Sequence, residues 1–281
     1  MRAVLLAALF ALAAPGVAWA QTTHLFHANS VIPDPLPLAP IAHWTNAKGR
    51  TTTTLEVNGA TLRGWSYAGA DPKAPTLVFF NRNGTTIDKN DATYRAIAAL
   101  GPQVVAYDYR GYGFSLGIPG VHLMQEDAVR IVDAVAKDAG ARGVVVYGHS
   151  IGAAVAAYTA SQTTVAGVIL AAPVASAQEE LPIVLAGSSV PANVAATITL
   201  APDAVAAFAV ADFVGRFQAP LLVLHGTADT EVPIAQGREV YAASTSPRKR
   251  FVEGPGLNHD QIVDAPDSRA AVKSFVATLT R

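Results

Sequence analysis

Beyond residue 50 the chain alternates short apolar runs with longer amphipathic stretches. TTTTLEV and TLRGWSYAG switch between polar and apolar positions on either side of Asn58-Gly59, the pattern of a β-hairpin closed by a tight turn. APTLVFFN is apolar without interruption, as expected of a strand covered on both faces. From there strands and helices take turns: a helix over 92–100, the strand QVVAYDY and the glycine-rich loop RGYGFSLGIPG. A helix over 123–138 follows, with Ala128, Ile131, Val132, Val135 and Ala136 on one face, and then the strand VVVYG. An alanine-rich helix from Ala153 and the strand VAGVILAAP come next; later come APLLVLHG, a helix over 234–243, the strand KRFVEG and a closing helix over 268–280. Repeated strand–helix units of this kind predict an α/β class, a doubly wound and mostly parallel sheet preceded by the N-terminal hairpin. One domain over 51–281 accounts for them, with no internal repeat. The rhythm breaks at 174–218, rich in Ala, Val and Pro, where a single helix would suffice to join two strands. Such an insertion overhangs the carboxyl edge of the sheet as a lid or pocket wall, or else consists of ordinary surface helices.

Composition narrows the function. With 281 residues, 51% of them hydrophobic, one continuous core is affordable. A formal charge of −1, from 20 basic and 21 acidic residues, supplies no basic face, so nucleic acid is not an expected partner. Cysteine is absent, which excludes disulfides, thiolate catalysis and Cys-ligated metals. Residues 1–20 run from Arg2 through AVLLAALFALAA to Ala18-Trp19-Ala20, the order of a secretory signal with cleavage after Ala20. The expected location is periplasmic or secreted, without stable membrane insertion after cleavage. Residues 21–50, including VIPDPLPLAP, read as an extended Pro-rich lead, since proline forbids helix and central strand.

The candidate chemistry centres on VVVYGHSIG. Gly148 and Gly152 flank Ser150 at two residues' distance, with a strand before and a helix after, the context of a nucleophile elbow. A serine needs a base, and the base an orienting acid; in hydrolases of this topology these follow in the order Ser, Asp or Glu, His. Two histidines follow Ser150. His225 precedes the best acid, whereas His259, in the loop GPGLNHD after the last strand, is placed to be the base. Asp229, in HGTADTEVP, is the candidate acid, with Glu231, Asp203 and Asp212 as competitors; Asp260 adjoins His259 too closely to orient its ring. His149 is expected to pack on the strand side. The oxyanion donors expected are the backbone N–H groups of Ile151, after the nucleophile, and Asn83, in the loop after TLVFF. No cofactor motif or metal-ligand spacing is present, and DKND at 88–91 reads as a solvated acidic turn.

FFNRNGTTI, DYRGYGFSLGIPG, VVVYGHSIGAA, PLLVLHGTADTEVP and GPGLNHD together resemble the α/β-hydrolases, specifically the lid-poor serine acyl-hydrolases similar to protein depalmitoylases and their bacterial relatives. The resemblance covers most of the mature domain. It implies the α/β-hydrolase fold, a Ser150–Asp229–His259 triad with donors from Ile151 and Asn83, and Asp108 and Arg110 as loop braces. The implied activity is hydrolysis of an ester or thioester of a small-molecule or acylated substrate through an acyl-enzyme. A peptidase or amidase on the same triad, and a non-catalytic binding protein of the same fold, are the alternatives. The departure lies at Asn81-Arg82, where the family usually carries His-Gly. Arg82 either turns inward toward an anionic substrate group or points to solvent.

Overall fold

The computed structural model describes residues 24–26, 39–188 and 190–280. The expected signal at 1–20 and half of the Pro-rich lead, 21–23 and 27–38, lie outside the described residues. Numbered along the chain, the strands are β1 (His24–Phe26), β2 (Arg50–Val57), β3 (Ala60–Tyr67), β4 (Thr76–Phe80) and β5 (Val104–Tyr107). They continue with β6 (Val144–His149), β7 (Gly167–Ala171), β8 (Ile198–Leu200), β9 (Leu221–Gly226) and β10 (Lys249–Gly254).

Among the described residues, eight strands form one sheet in the order β10-β9-β7-β6-β4-β5-β3-β2. The pairings from β10 to β5 are parallel, and β3 joins β5 and β2 antiparallel. The hairpin turns as expected: Asn58 and Gly59 have φ of 41° and 74°, the left-handed pair that suits the twist of the strands. Every residue of β4 is buried. Its side chains alternate between two apolar layers, Val78 and Phe80 on one face, Leu77 and Phe79 on the other. Helices Val121–Ala139 and Ile151–Gln162 cover the first face, and Asp91–Ala98 and Pro266–Ala277 the second. This is why the strand reads as an unbroken apolar run.

Two expectations need correction. In the helix Val121–Ala139 the inward face runs through Met124, Ala128, Ile131 and Val132; Val135 is half-buried and Ala136 exposed, and Ala139 at the end is buried again. The closing helix begins at Pro266, which fits the first turn because its missing N–H costs nothing there, and a short helix Gln261–Asp264 precedes it. The insertion holds four short helices, Ala177–Ala186, Ala192–Ala195, Pro202–Ala207 and Val210–Val214. Its strand β8 pairs in parallel with β1. It packs on the helix after the elbow, with Phe213 edge-on to Tyr158, and Gln125 donates to the Ala207 carbonyl at 2.9 Å.

Candidate active site

Ser150 follows β6 with φ 58° and ψ −121°, a left-handed conformation that a residue bearing a Cβ adopts at a cost of about 1–3 kcal/mol. The glycines around it have no alternative. A Cβ on Gly148 would lie 2.0 Å from the Gly152 carbonyl oxygen, and one on Gly152 would lie 2.2 Å from that of Phe80. The turn is pinned by the Ser150 amide, which donates to the Ala171 carbonyl at 2.9 Å, and by Ala153 N–H, which donates to the Ser150 carbonyl at 2.8 Å as the helix begins. The serine therefore stands at the carboxyl edge of the sheet, at the start of a helix whose first N–H groups are unspent.

Asp229, in the loop after β9, and His259, in the loop after β10, meet there. His259 Nδ1–H donates to Asp229 Oδ2 at 2.8 Å, which leaves Nε2 as the free lone pair of the neutral ring. The other carboxylate oxygen accepts from the amides of Glu231 and Val232, each at 2.9 Å. The Ala228 amide donates to the Leu257 carbonyl at 3.0 Å, which ties the acid loop to the histidine loop. Burial alone would raise the Asp229 carboxyl, but hydrogen bonds from His225 and His259 outweigh it and hold the group well below the ordinary carboxylate range. For His259 burial works downward, yet the Asp229 bond and charge prevail and raise the imidazole above its usual value.

His149 connects this pair to the serine turn. Its Nε2–H donates to the His259 carbonyl at 2.9 Å, and the two rings lie 5.1 Å apart. Burial, then the neighbouring His259, lower the His149 imidazole to about 3, so it stays a neutral brace. Ile151 and Asn83, the expected oxyanion donors, line one cleft together with Arg82, Tyr109, Tyr112 and Met124. Asp108 braces the surrounding loops by accepting from the amides of Ile87 and Phe114 at 2.8 Å each. Arg110 forms a buried pair with Asp127, its Nε donating at 2.7 Å.

Where the resemblance expects His-Gly, the structure substitutes two other fastenings. Asn81 is buried, its side-chain oxygen accepting from the Tyr94 hydroxyl at 2.5 Å and from Asn90 at 2.9 Å. Arg82 neither enters the site unpaired nor floats in solvent: Nε sits 2.8 Å from Asp260 Oδ1, with the side chain 24% exposed. Of the competing acids, Glu231 and Asp212 are exposed, and Asp203 lies in the helix Pro202–Ala207 of the insertion. Asp91 of the DKND turn pairs with Arg50 and Arg95, each at 2.7 Å.

Sequence reasoning passed over two groups that touch the acid or its surroundings. His225, set aside as a base by its chain position, is fully buried with Nε2 2.8 Å from the Val232 carbonyl and 3.4 Å from Asp229 Oδ2. Its four-residue spacing from Asp229 was the available signal. Gln236 is buried and bridges two elements: its oxygen accepts from the Ala175 amide and its nitrogen donates to Glu180, both at 2.9 Å. Burial raises the Glu180 carboxyl to about 7. Nothing in the sequence links these positions.

A family model described as serine aminopeptidase, S33, matches residues 71–212, which include the elbow and the oxyanion loop and stop before Asp229 and His259. The lysophosphatidylserine lipase ABHD12 of Macaca fascicularis is 26% identical over 255 residues, 84% of this chain and 62% of its own, so this chain spans about three fifths of that relative's length. The uncharacterized protein Rv2307c of Mycobacterium tuberculosis is 27% identical over 98% of this chain and 95% of its own. Among solved structures, the Pyrococcus furiosus esterase Pf2001 superposes with TM-score 0.69 at 14% identity, over 93% of this chain and 100% of that one. Est1E of Butyrivibrio proteoclasticus with bound ferulic acid superposes with TM-score 0.63 at 17% identity, over 81% and 98%. At these identities the solved structures share the fold. No helix among the described residues is long and apolar enough to cross a membrane.

Proposed function

Because this chain belongs to the α/β-hydrolase family of serine hydrolases whose matching model is described as serine aminopeptidase, S33, we propose that it cleaves a carboxylic ester or thioester through an acyl-enzyme on Ser150. The observation that carries the reading is the strained Ser150, φ 58°, on a turn that His149 ties to the hydrogen-bonded His259–Asp229 pair. In this mechanism Ser150 Oγ attacks the carbonyl carbon and its proton passes to His259 Nε2. The oxygen that becomes negative is held by the N–H groups of Ile151 and Asn83. Collapse expels the leaving group, which takes the proton from His259. Water then repeats the sequence: it loses its proton to His259, attacks the acyl carbon, and Ser150 leaves with that proton restored. Asp229 fixes the tautomer and stabilises the imidazolium; no step calls on a cofactor.

The lysophosphatidylserine lipase relatives favour an ester over an amide, whereas the family's description as an aminopeptidase favours an amide. A matched ester and amide pair decides between them. Labelling by a fluorophosphonate, lost in Ser150→Ala together with nearly all turnover of a nitrophenyl ester, tests the nucleophile and the non-catalytic alternative at once. Wild-type turnover in that variant sinks the mechanism. The reading includes export by the signal at 1–20 to the periplasm or medium, checked by whether the mature protein begins at Gln21.

A further inference from the structure

In the mechanism proposed above, the cleft that Ile151 and Asn83 line adjoins the two oxyanion donors and is the space next to the acyl carbon. It is narrow. Tyr112 and Met124 are each 3% exposed, and Tyr109 is fixed by its hydroxyl, which donates to the Asn81 carbonyl at 2.9 Å. The rings of Tyr109 and Tyr112 stand edge-on, 6.4 Å apart. The open volume is about 10 Å³, the room of roughly one water and so of one methyl group.

Behind Tyr109 and Met124 lies a second void of about 10 Å³, bounded by the same two residues, by Asp108 and Asp127, whose carboxylates are held by backbone amides and by Arg110, and by Leu62, Val78, Phe80 and Ile131. Those four are apolar strand and helix residues of the core. One partition therefore separates two small spaces, and its two halves differ in freedom. Tyr109 is held by its hydrogen bond. Met124, in the first turn of the helix Val121–Ala139, is unbranched and packs by shape alone.

Resting on the serine-hydrolase reading above, we propose that the acyl side accepts acetyl-sized groups and that Met124 is the partition setting that limit. Structural variety in the substrate then belongs to the leaving group. A longer chain must displace Met124 from its place between the two voids, and replacing Met124 by a shorter side chain joins them into one longer slot.

The test uses the purified full chain and nitrophenyl acetate, butanoate and octanoate, read as kcat/KM. Wild type is expected to fall at least tenfold from acetate to octanoate. Met124→Ala should raise the octanoate-to-acetate ratio about tenfold, and Met124→Phe should lower the butanoate-to-acetate ratio by at least threefold. Wild-type preference for octanoate, or ratios in both variants within twofold of wild type, would overturn the proposal. If Met124→Ala does not fold, Met124→Leu carries the test, because it conserves volume while reaching one bond less. It is expected to raise the octanoate ratio about threefold, and no rise there counts against the partition. Failure of the underlying reading looks different: wild type neither cleaves acetate nor takes up the fluorophosphonate, and both conclusions fall together.

Discussion

Gly152→Ala isolates the fit between the elbow and the oxyanion loop. The added Cβ would sit 2.2 Å from the Phe80 carbonyl oxygen and 2.7 Å from that of Asn81, both main-chain atoms at the end of β4. Carbon and oxygen need over 3 Å, so one backbone segment must retreat by about 1 Å. Alanine gains about 1 kcal/mol of helix propensity, while overpacking costs about 1–3 kcal/mol, a net loss of at most about 2 kcal/mol. For a domain of this size that lowers Tm by no more than about 8 °C. The segment that retreats leads directly to Asn83, and a displacement of about 1 Å at a site of this kind costs about 100-fold in rate. Activity should therefore collapse while the protein still folds, its Tm lowered by no more than about 8 °C. The assay pairs thermal unfolding with kcat on nitrophenyl acetate, beside Gly187→Ala as control, whose Cβ would meet its nearest atom at 3.5 Å, an ordinary contact. A kcat for Gly152→Ala within about threefold of wild type would refute the coupling.

Two further predictions concern the acid and its neighbours. The base must be neutral, so kcat/KM should rise with pH through the His259 pKa, which the Asp229 bond and charge raise against burial. In Asp229→Asn that support is gone and burial dominates; the limb should move to lower pH while the plateau drops by up to about ten-thousand-fold, and a limb moving upward contradicts the assignment. His225→Leu should do the opposite to the limb: Asp229 loses a donor that holds it acidic, binds the His259 proton more strongly and shifts the limb upward. The Val232 carbonyl left unpaired should cost about 1–3 kcal/mol in denaturant unfolding, and an unmoved pH profile would make His225 purely structural.

The parts legible in the sequence share a cause: each is a local pattern with one physical solution. Asn58-Gly59 demands a tight turn, the unbroken apolar TLVFF demands two covering layers, and Gly148-x-Ser150-x-Gly152 demands a reversal too crowded for any side chain at its ends. Asp229 and His259 were reachable because the order of strands places their loops side by side. The rest depends on partners that meet only after folding. Arg82 finds Asp260 across 178 positions, and Gln236 finds Glu180 across 56, with no periodicity to announce either. The internal arrangement of the insertion was not legible because its helices span only about one to three turns, too short for an amphipathic repeat to declare itself.

The ladder between β1 and β8 closes a loop of about 170 residues, which contains β4 through β7 and the serine turn. The entropy lost on closing so long a loop is recovered only when the intervening chain has already brought its ends together. That ladder thus belongs late in the folding sequence, after the inner strands have met. The strained turn at Ser150 is built before it, and the outer edge of the insertion is sewn on afterward by residues 24–26.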